Sequence, residues 1–288
     1  WKNIGGVMLD LFEHKYIPLD DWIELAVDWL VANFREVFQA IKVPIELTLN
    51  GIESLLLWVP GIVIVIVVAL LAWRLAGWRI SLFSFISLLL IALIGVWDEA
   101  MTTLSMVLSS FIFCTVVGIP IGIICSQNDR AYSIVRPILD AMQSTPAFVY
   151  LVPVVMLFSI GTVAGVIATI VFSIPPVIRL TNLGIRQVHP ELIEAAKAFG
   201  STQKQILTKV QIPLALPTIM AGLNQNIMLS LAMVVIASLI GAGGLGLLVF
   251  EGVNSLRVGL AGVGGLSIVL IAMVLDRITQ SLGKVKRD

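Results

Sequence analysis

The side chains that could do chemistry in this chain are few and scattered. Cys114 and Cys125 lie in one apolar stretch; on a helix they stand roughly 16 Å apart at about 1.5 Å per residue, too far for a disulfide. They are expected to pack as small apolar side chains. His14 and His189 have no cluster of Cys or His around them, so no metal site is expected. Neither a Ser-His-Asp set nor a pair of catalytic carboxylates is gathered by spacing, and no catalytic residue is expected. Gly241-Ala242-Gly243-Gly244-Leu245-Gly246 matches G-x-G-x-x-G, yet it follows an apolar segment and has no acidic residue about 20 positions on. The expectation there is a glycine-rich re-entry or tight turn. The sequence contains no G-x-x-x-x-G-K-[ST], so any energy from ATP has to come from a partner.

The elements that hold these residues are membrane helices. Hydrophobic residues make up 58% of the chain and charged ones 12%, with a mean hydropathy of +1.02; a soluble domain carries about 25% charge. Lys+Arg and Asp+Glu are 18 each, so no net field recruits nucleic acid. This composition also excludes disorder, a disulfide framework and a repeat solenoid, and reads as an all-α polytopic membrane protein. No basic n-region followed by a short apolar core and a small-residue cleavage site is seen, so no removable signal is expected.

Charge at the bilayer centre costs at least about 2.5 kcal/mol, and a crossing needs about 20 apolar residues, so charge-free stretches locate the spans. They are residues 54–73, 80–97, 100–128, 141–178, 210–250 and 258–275. Residues 141–178 are long enough for two short spans turning at 159–162, or for one long span and a loop. The stretch 210–250 opens on Pro213 and Pro217 and closes on glycines; it is expected to hold one span, roughly 217–240, between loops. About seven transmembrane helices result, with six as the alternative. Arg74, Arg79, Arg130, Arg136, Arg179, Arg186, Lys197, Lys204, Lys209, Lys284, Lys286 and Arg287 all fall on one side, which predicts the N-terminus outside and the C-terminus inside. Ile23, Val27, Leu30, Phe34, Val37, Phe38 and Ile41 recur at helical spacing opposite Asp21, Glu24, Asp28 and Arg35, and Trp22 and Trp29 suit a helix lying in the interface.

Residues 186–213 form a charged connection on the cytoplasmic side. Pro190 fits a first helical turn with Glu191 at the positive end of the dipole, and Gly200 stops that helix in a left-handed conformation. Ser201 or Thr202 then caps a second helix that Pro213 is expected to end. Glu194, Ala195 and Ala198 share one face, where small side chains let another surface approach. Inside the sixth span, Asn224, Gln225, Asn226 and Ser230 are the densest polar set; with Met233 they either bond to neighbouring helices or line a translocation path.

Glu194-Ala195-Ala196, three residues, Gly200, nine residues, Val210, one residue and Ile212-Pro213 is similar to the EAA loop of ABC importer permeases, EAA-x3-G-x9-I-x-L-P, with Val210 and Ile212 in place of Ile and Leu. In that family the loop is the coupling helix seated in a cleft of the cytoplasmic ATPase. The resemblance therefore implies coupling roles for Glu191, Glu194, Ala195, Ala196, Ala198, Gly200 and Pro213, and a type I ABC importer permease fold with a five-helix core over residues 100–276. Residues 1–53 would form an external N-terminal segment, 54–99 two accessory helices and 277–288 a cytoplasmic tail. Two further segments, residues 140–153 and 228–246, resemble permeases of osmoprotectant importers for glycine betaine, proline betaine and related quaternary amines.

What this implies is a subunit of a prokaryotic cytoplasmic-membrane importer. It would work with a second copy of itself, two cytoplasmic ATPase subunits holding ATP and Mg, and an extracytoplasmic substrate-binding protein or domain. An ATPase-independent secondary transporter or channel is the alternative, but such proteins place ionisable relays within spans or show inverted repeats, and neither is evident here. An ABC permease for another small polar solute is a further alternative.

Overall fold

A computed structural model describes residues 17–283; His14, Lys284, Lys286 and Arg287 lie outside the described residues. Every regular element among the described residues is helical. Helix α1 is Leu19–Trp58, α2 Gly61–Ala76, α3 Trp78–Ile94, α4 Trp97–Gln127 and α5 Asp129–Ser144. After a 3-10 turn at Ala147–Tyr150 come α6, Leu151–Phe158, α7, Thr162–Arg186, and α8, Pro190–Ala198. The remaining helices are α9, Gln203–Ile206, α10, Ile212–Ala237, α11, Leu245–Asn254, and α12, Val258–Gly283.

The first part of α1, residues 19–41, is a unit of its own. Its apolar side chains Trp22, Ile23, Leu30, Phe34 and Ile41 are exposed, as an interfacial helix requires. Within it the Trp29 and Phe34 rings meet edge to face at 5.5 Å. The helix does not stop at residue 53. Ser54–Trp58 continue it, and the break falls at Val59-Pro60, because proline supplies no donor and restricts the residue before it. The Leu19–Trp58 and Gly61–Ala76 helices are bent by 106°. The first apolar crossing is thus shorter than expected.

Among the described residues, four helices are long and apolar enough to cross a bilayer: Trp97–Gln127, Thr162–Arg186, the continuous stretch Gln203–Ile240, and Val258–Gly283. Two bent pairs, Leu19–Trp58 with Gly61–Ala76 and Asp129–Ser144 with Ala147–Phe158, and the shorter Trp78–Ile94 complete the apolar segments anticipated from the charge gaps. The fourth crossing departs most from expectation. Thr145-Pro146 breaks it, and the halves bend by 108°. The turn at 159–162 is present, with Ser159 at φ 70°. Beyond Gly241 and Gly244, both in positive φ, residues 245–254 form the helix α11 where a loop was expected, and Glu251 lies in it. The glycine run is a tight turn, held by the Leu245 amide donating to Thr103 Oγ1 at 2.8 Å.

Helices α4, α7 and α10 make the centre, with Cys114, Ile174, Val177, Ile185, Ala215 and Ile219 buried in one cluster. Small residues set the spacing, as membrane helices need when lipid is as apolar as the core. A Cβ on Gly122 would lie 2.6 Å from Thr181 Cβ, and one on Gly184 would lie 3.2 Å from the Ala215 carbonyl. Both cysteines are buried and free.

The two ends of the bundle can be told apart. Gly61 packs on Trp97 at one end, along with the Thr103–Leu245 contact. At the other end lie Cys125, Arg186, and Gly283 against Met220.

Candidate functional site

The connection after α7 folds as a helical hairpin. Pro190 occupies the first turn of α8 with Glu191 beside it. Gly200 sits at φ 79°, a conformation that costs an L side chain about 1–2 kcal/mol. The left-handed residue lets the Gly200 amide reach the Lys197 carbonyl at 2.9 Å and the Ser201 amide reach that of Ala196 at 3.0 Å, which satisfies carbonyls the ended helix leaves free. Of the two candidate caps, Thr202 is the one used: its Oγ1 accepts from the Gln205 amide while Gln205 Oε1 accepts from the Thr202 amide, a reciprocal capping box.

Pro213 does not end the second helix. Residues Leu207–Gln211 widen into a π-type stretch, and the helix continues through Ile212 into the bilayer with Pro213 in the first turn of α10. The wider turn shifts the hydrogen-bond register just ahead of the proline, so the chain remains helical where an ordinary turn would break. The second arm of the hairpin and the sixth crossing are therefore one continuous helix, Gln203–Ile240.

Of the residues expected to couple, Glu191, Glu194, Ala195, Ala198, Gly200 and Pro213 are exposed and Ala196 is half-buried. Phe199, which the spacing argument passed over, is 92% exposed next to Gly200. An aromatic ring held open on a charged hairpin is a contact surface in search of an apolar recess.

A second feature that sequence reasoning did not find is Arg186, in the last turn of α7. Its Nε donates to Asn182 Oδ1 at 2.9 Å and its Nη2 to the Cys125 carbonyl at 2.7 Å. Nη1 lies 2.7 Å from Asp129 Oδ1, and the guanidinium carbon stands 5.5 Å from the centre of the Tyr132 ring. One side chain thus ties the helix that leads into the hairpin to the end of α4 and the start of α5. The planar guanidinium can hold these partners at once, as a lysine could not. Nearby, Arg179 Nη2 donates to Asp140 Oδ1 at 2.6 Å, joining α7 to α5 a second time.

The intramembrane polar set is arranged for packing. Asn226 is fully buried and its Nδ2 donates to the Ser173 carbonyl at 2.8 Å and to Ser173 Oγ at 2.9 Å. Ser230 Oγ donates to the same hydroxyl at 3.2 Å, and Met233 is fully buried. Asn226 and Ser230 thus both bond across to Ser173 of α7, which gives the Asn226 Nδ2 group the protein partner that an amide in hydrocarbon needs, while its Oδ1 is buried without one. Asn224 differs. It is half-buried, bonds to Asp276 at 2.8 Å and Thr279 at 2.6 Å, and borders a groove of about 400 Å³ between α10 and α12. Among the described residues, no group of three or more His, Cys, Asp or Glu could hold a metal ion.

Comparison with known proteins points the same way. Residues 118–286 match the family described as binding-protein-dependent transport system inner membrane component. The chain is 53% identical over 281 residues to the glycine betaine/proline betaine transport system permease protein ProW of Escherichia coli (strain K12), covering 98% of this chain and 79% of that protein. It is 49% identical over 271 residues to the glycine betaine transport system permease protein OpuAB of Bacillus subtilis (strain 168), covering 94% and 96%. Among solved structures, an inward-facing conformation of the MetNI methionine ABC transporter superposes with a TM-score of 0.54 at 28% identity over 67% of this chain and 93% of that one.

Proposed function

The chain belongs to the family of binding-protein-dependent transport system inner membrane components, and from that premise we propose that it carries glycine betaine or a closely related quaternary amine into the cell. It is a permease subunit of an ATP-binding-cassette importer, a multi-pass membrane protein of the type I permease fold. Such a permease works with an ATPase and a substrate-binding partner.

The finer reading is that two copies of this chain enclose the path, with two ATPase subunits beneath and a binding protein outside, the N-terminus facing out and the C-terminus in. One five-helix core is too small to surround a solute by itself, and a pair closes the path. ATP and Mg would be held by the ATPase; this chain would contribute no catalytic group. Closure of the ATPases would move α8, seated through Glu194, Ala195, Ala198 and Phe199, and the motion would pass into α10 and, through Arg186, into α4 and α5. Choice of the quaternary amine would rest with the binding protein, where aromatic faces can hold the cation.

The observation that carries the reading is the exposed hairpin, shaped by Pro190, Gly200 and Thr202 and running without a break into a membrane helix. The test is co-purification with candidate ATPases, followed by uptake of labelled glycine betaine into vesicles with ATP inside. ATP-dependent uptake that unlabelled betaine competes away supports the proposal. Uptake without any ATPase bound would favour a secondary transporter, and ATP-driven uptake of a different solute alone would replace the substrate.

A further inference from the structure

We propose that the turn joining α2 and α3 is a binding site for the phosphate headgroup of an anionic phospholipid. Between Glu53 and Asp98 the only ionisable side chains are Arg74 and Arg79, one on each side of Gly77. Both are exposed, and among the described residues neither has a carboxylate within ion-pair distance. Two unneutralised guanidinium groups at one turn are a fork-shaped anion receptor.

The surroundings fit a lipid and not a soluble anion. Trp73 and Trp78 are 60% and 64% exposed, and the Arg79 guanidinium lies 5.8 Å from the centre of the Trp78 ring. Paired tryptophans at the ends of apolar helices belong at the depth of the glycerol backbone, where the ring is half in hydrocarbon and half in water. Leu70, Trp73 and Arg74 line a groove of about 490 Å³, with two apolar side chains and one cationic one. An acyl chain and its phosphate have that polarity.

Helix length brings the headgroup to the arginines. Helix α2 has 16 residues and α3 has 17, about 24–26 Å at 1.5 Å per residue against about 30 Å of hydrocarbon. A hairpin this short draws the interface toward its turn, and the arginines reach up to meet the phosphates. Gly61 packs on Trp97 at the outer end of the bundle, so the turn at residue 77 lies toward the end that holds Arg186 and the hairpin. That end faces the leaflet where basic residues gather.

The experiment uses the full chain in detergent, offered equal amounts of phosphatidylglycerol and phosphatidylcholine and observed by native mass spectrometry. Phosphatidylglycerol adducts should outnumber phosphatidylcholine by about thirtyfold, from two arginines at the surface. The ratio should fall to near one in R74Q/R79Q and to an intermediate value in R74K/R79K, which keeps the charge and loses the guanidinium fork. Excess inorganic phosphate should leave the adducts in place. In the unaltered protein, brominated phosphatidylglycerol should quench tryptophan fluorescence more than brominated phosphatidylcholine, and less so in W73F/W78F. Equal adducts in the unaltered chain, an undiminished preference in R74Q/R79Q, or displacement by free phosphate would each overturn the proposal. None of these readouts depends on which solute is transported.

Discussion

Arg186 Nη1 stands 2.7 Å from Asp129 Oδ1, which places the last turn of α7 and the first turn of α5 under one side chain just ahead of Pro190. The exposed ion pair is worth little by itself, because Asp129 is largely in solvent. The value of the contact is positional: the guanidinium also holds the Cys125 carbonyl and Asn182. Arg186→Ala should lower uptake about tenfold while ATP hydrolysis continues, so the ratio of solute moved to ATP consumed falls. Asp129→Asn should have a smaller effect. Uptake and hydrolysis measured on the same vesicles, with insertion checked by quantitative blotting, decide it.

Replacement of Gly200 by Val demands a left-handed conformation from a β-branched residue, at a cost of about 1–2 kcal/mol or more. The hairpin turn, not the membrane core, absorbs that cost. Gly200→Val and Glu194→Lys should abolish uptake and ATPase stimulation while the chain still inserts in normal amounts. Undiminished uptake in either variant would count for the ATPase-independent reading.

Phe199 is open to solvent in the isolated chain and makes no contribution to its core. Phe199→Asp should therefore leave the melting temperature of the purified permease unchanged and cut the amount of co-purified ATPase about tenfold, equivalent to about 1.4 kcal/mol. Pull-down yield at fixed permease, compared with a thermal scan, separates this from a folding defect.

At the helix crossing, Gly122→Ala should destabilise, because the added methyl meets Thr181 Cβ at 2.6 Å and the Ile178 carbonyl at 2.9 Å. Over-packing of this kind costs about 1–3 kcal/mol. Gly265→Ala, where nothing lies within 4 Å, should be neutral or slightly stabilising. Thermal unfolding of the two variants in the same detergent gives the comparison.

The hairpin is readable from the sequence because its determinants are local: Pro190, Gly200 and Thr202 each act on residues within four positions. Arg186 is not, since it looks like one more of the basic residues that set the expected orientation and its partners at 125 and 129 are about sixty residues earlier. The burial of Asn226 is similarly hidden. A polar residue in a span needs a partner or water, and the choice depends on Ser173, on a different helix. Helix α11 escapes the sequence because two glycines in positive φ signal a turn and leave the conformation after it undetermined. Pro213 misleads for a related reason: proline usually ends a helix, and here the π-type stretch before it keeps the helix going.

That stretch has a mechanical outcome. From Gln203 to Ile240 the chain spans 38 residues of helix, about 57 Å at 1.5 Å per residue. A rod of that length tilted by about 5° at its base sweeps its tip sideways by about 5 Å, close to one helix radius with side chains. The tip adjoins Gly161, whose amide donates to the Ile240 carbonyl at 3.0 Å. A small rotation imposed at the hairpin end would thus arrive at the opposite surface as a displacement large enough to separate a pair of helices, with the gearing supplied by geometry alone.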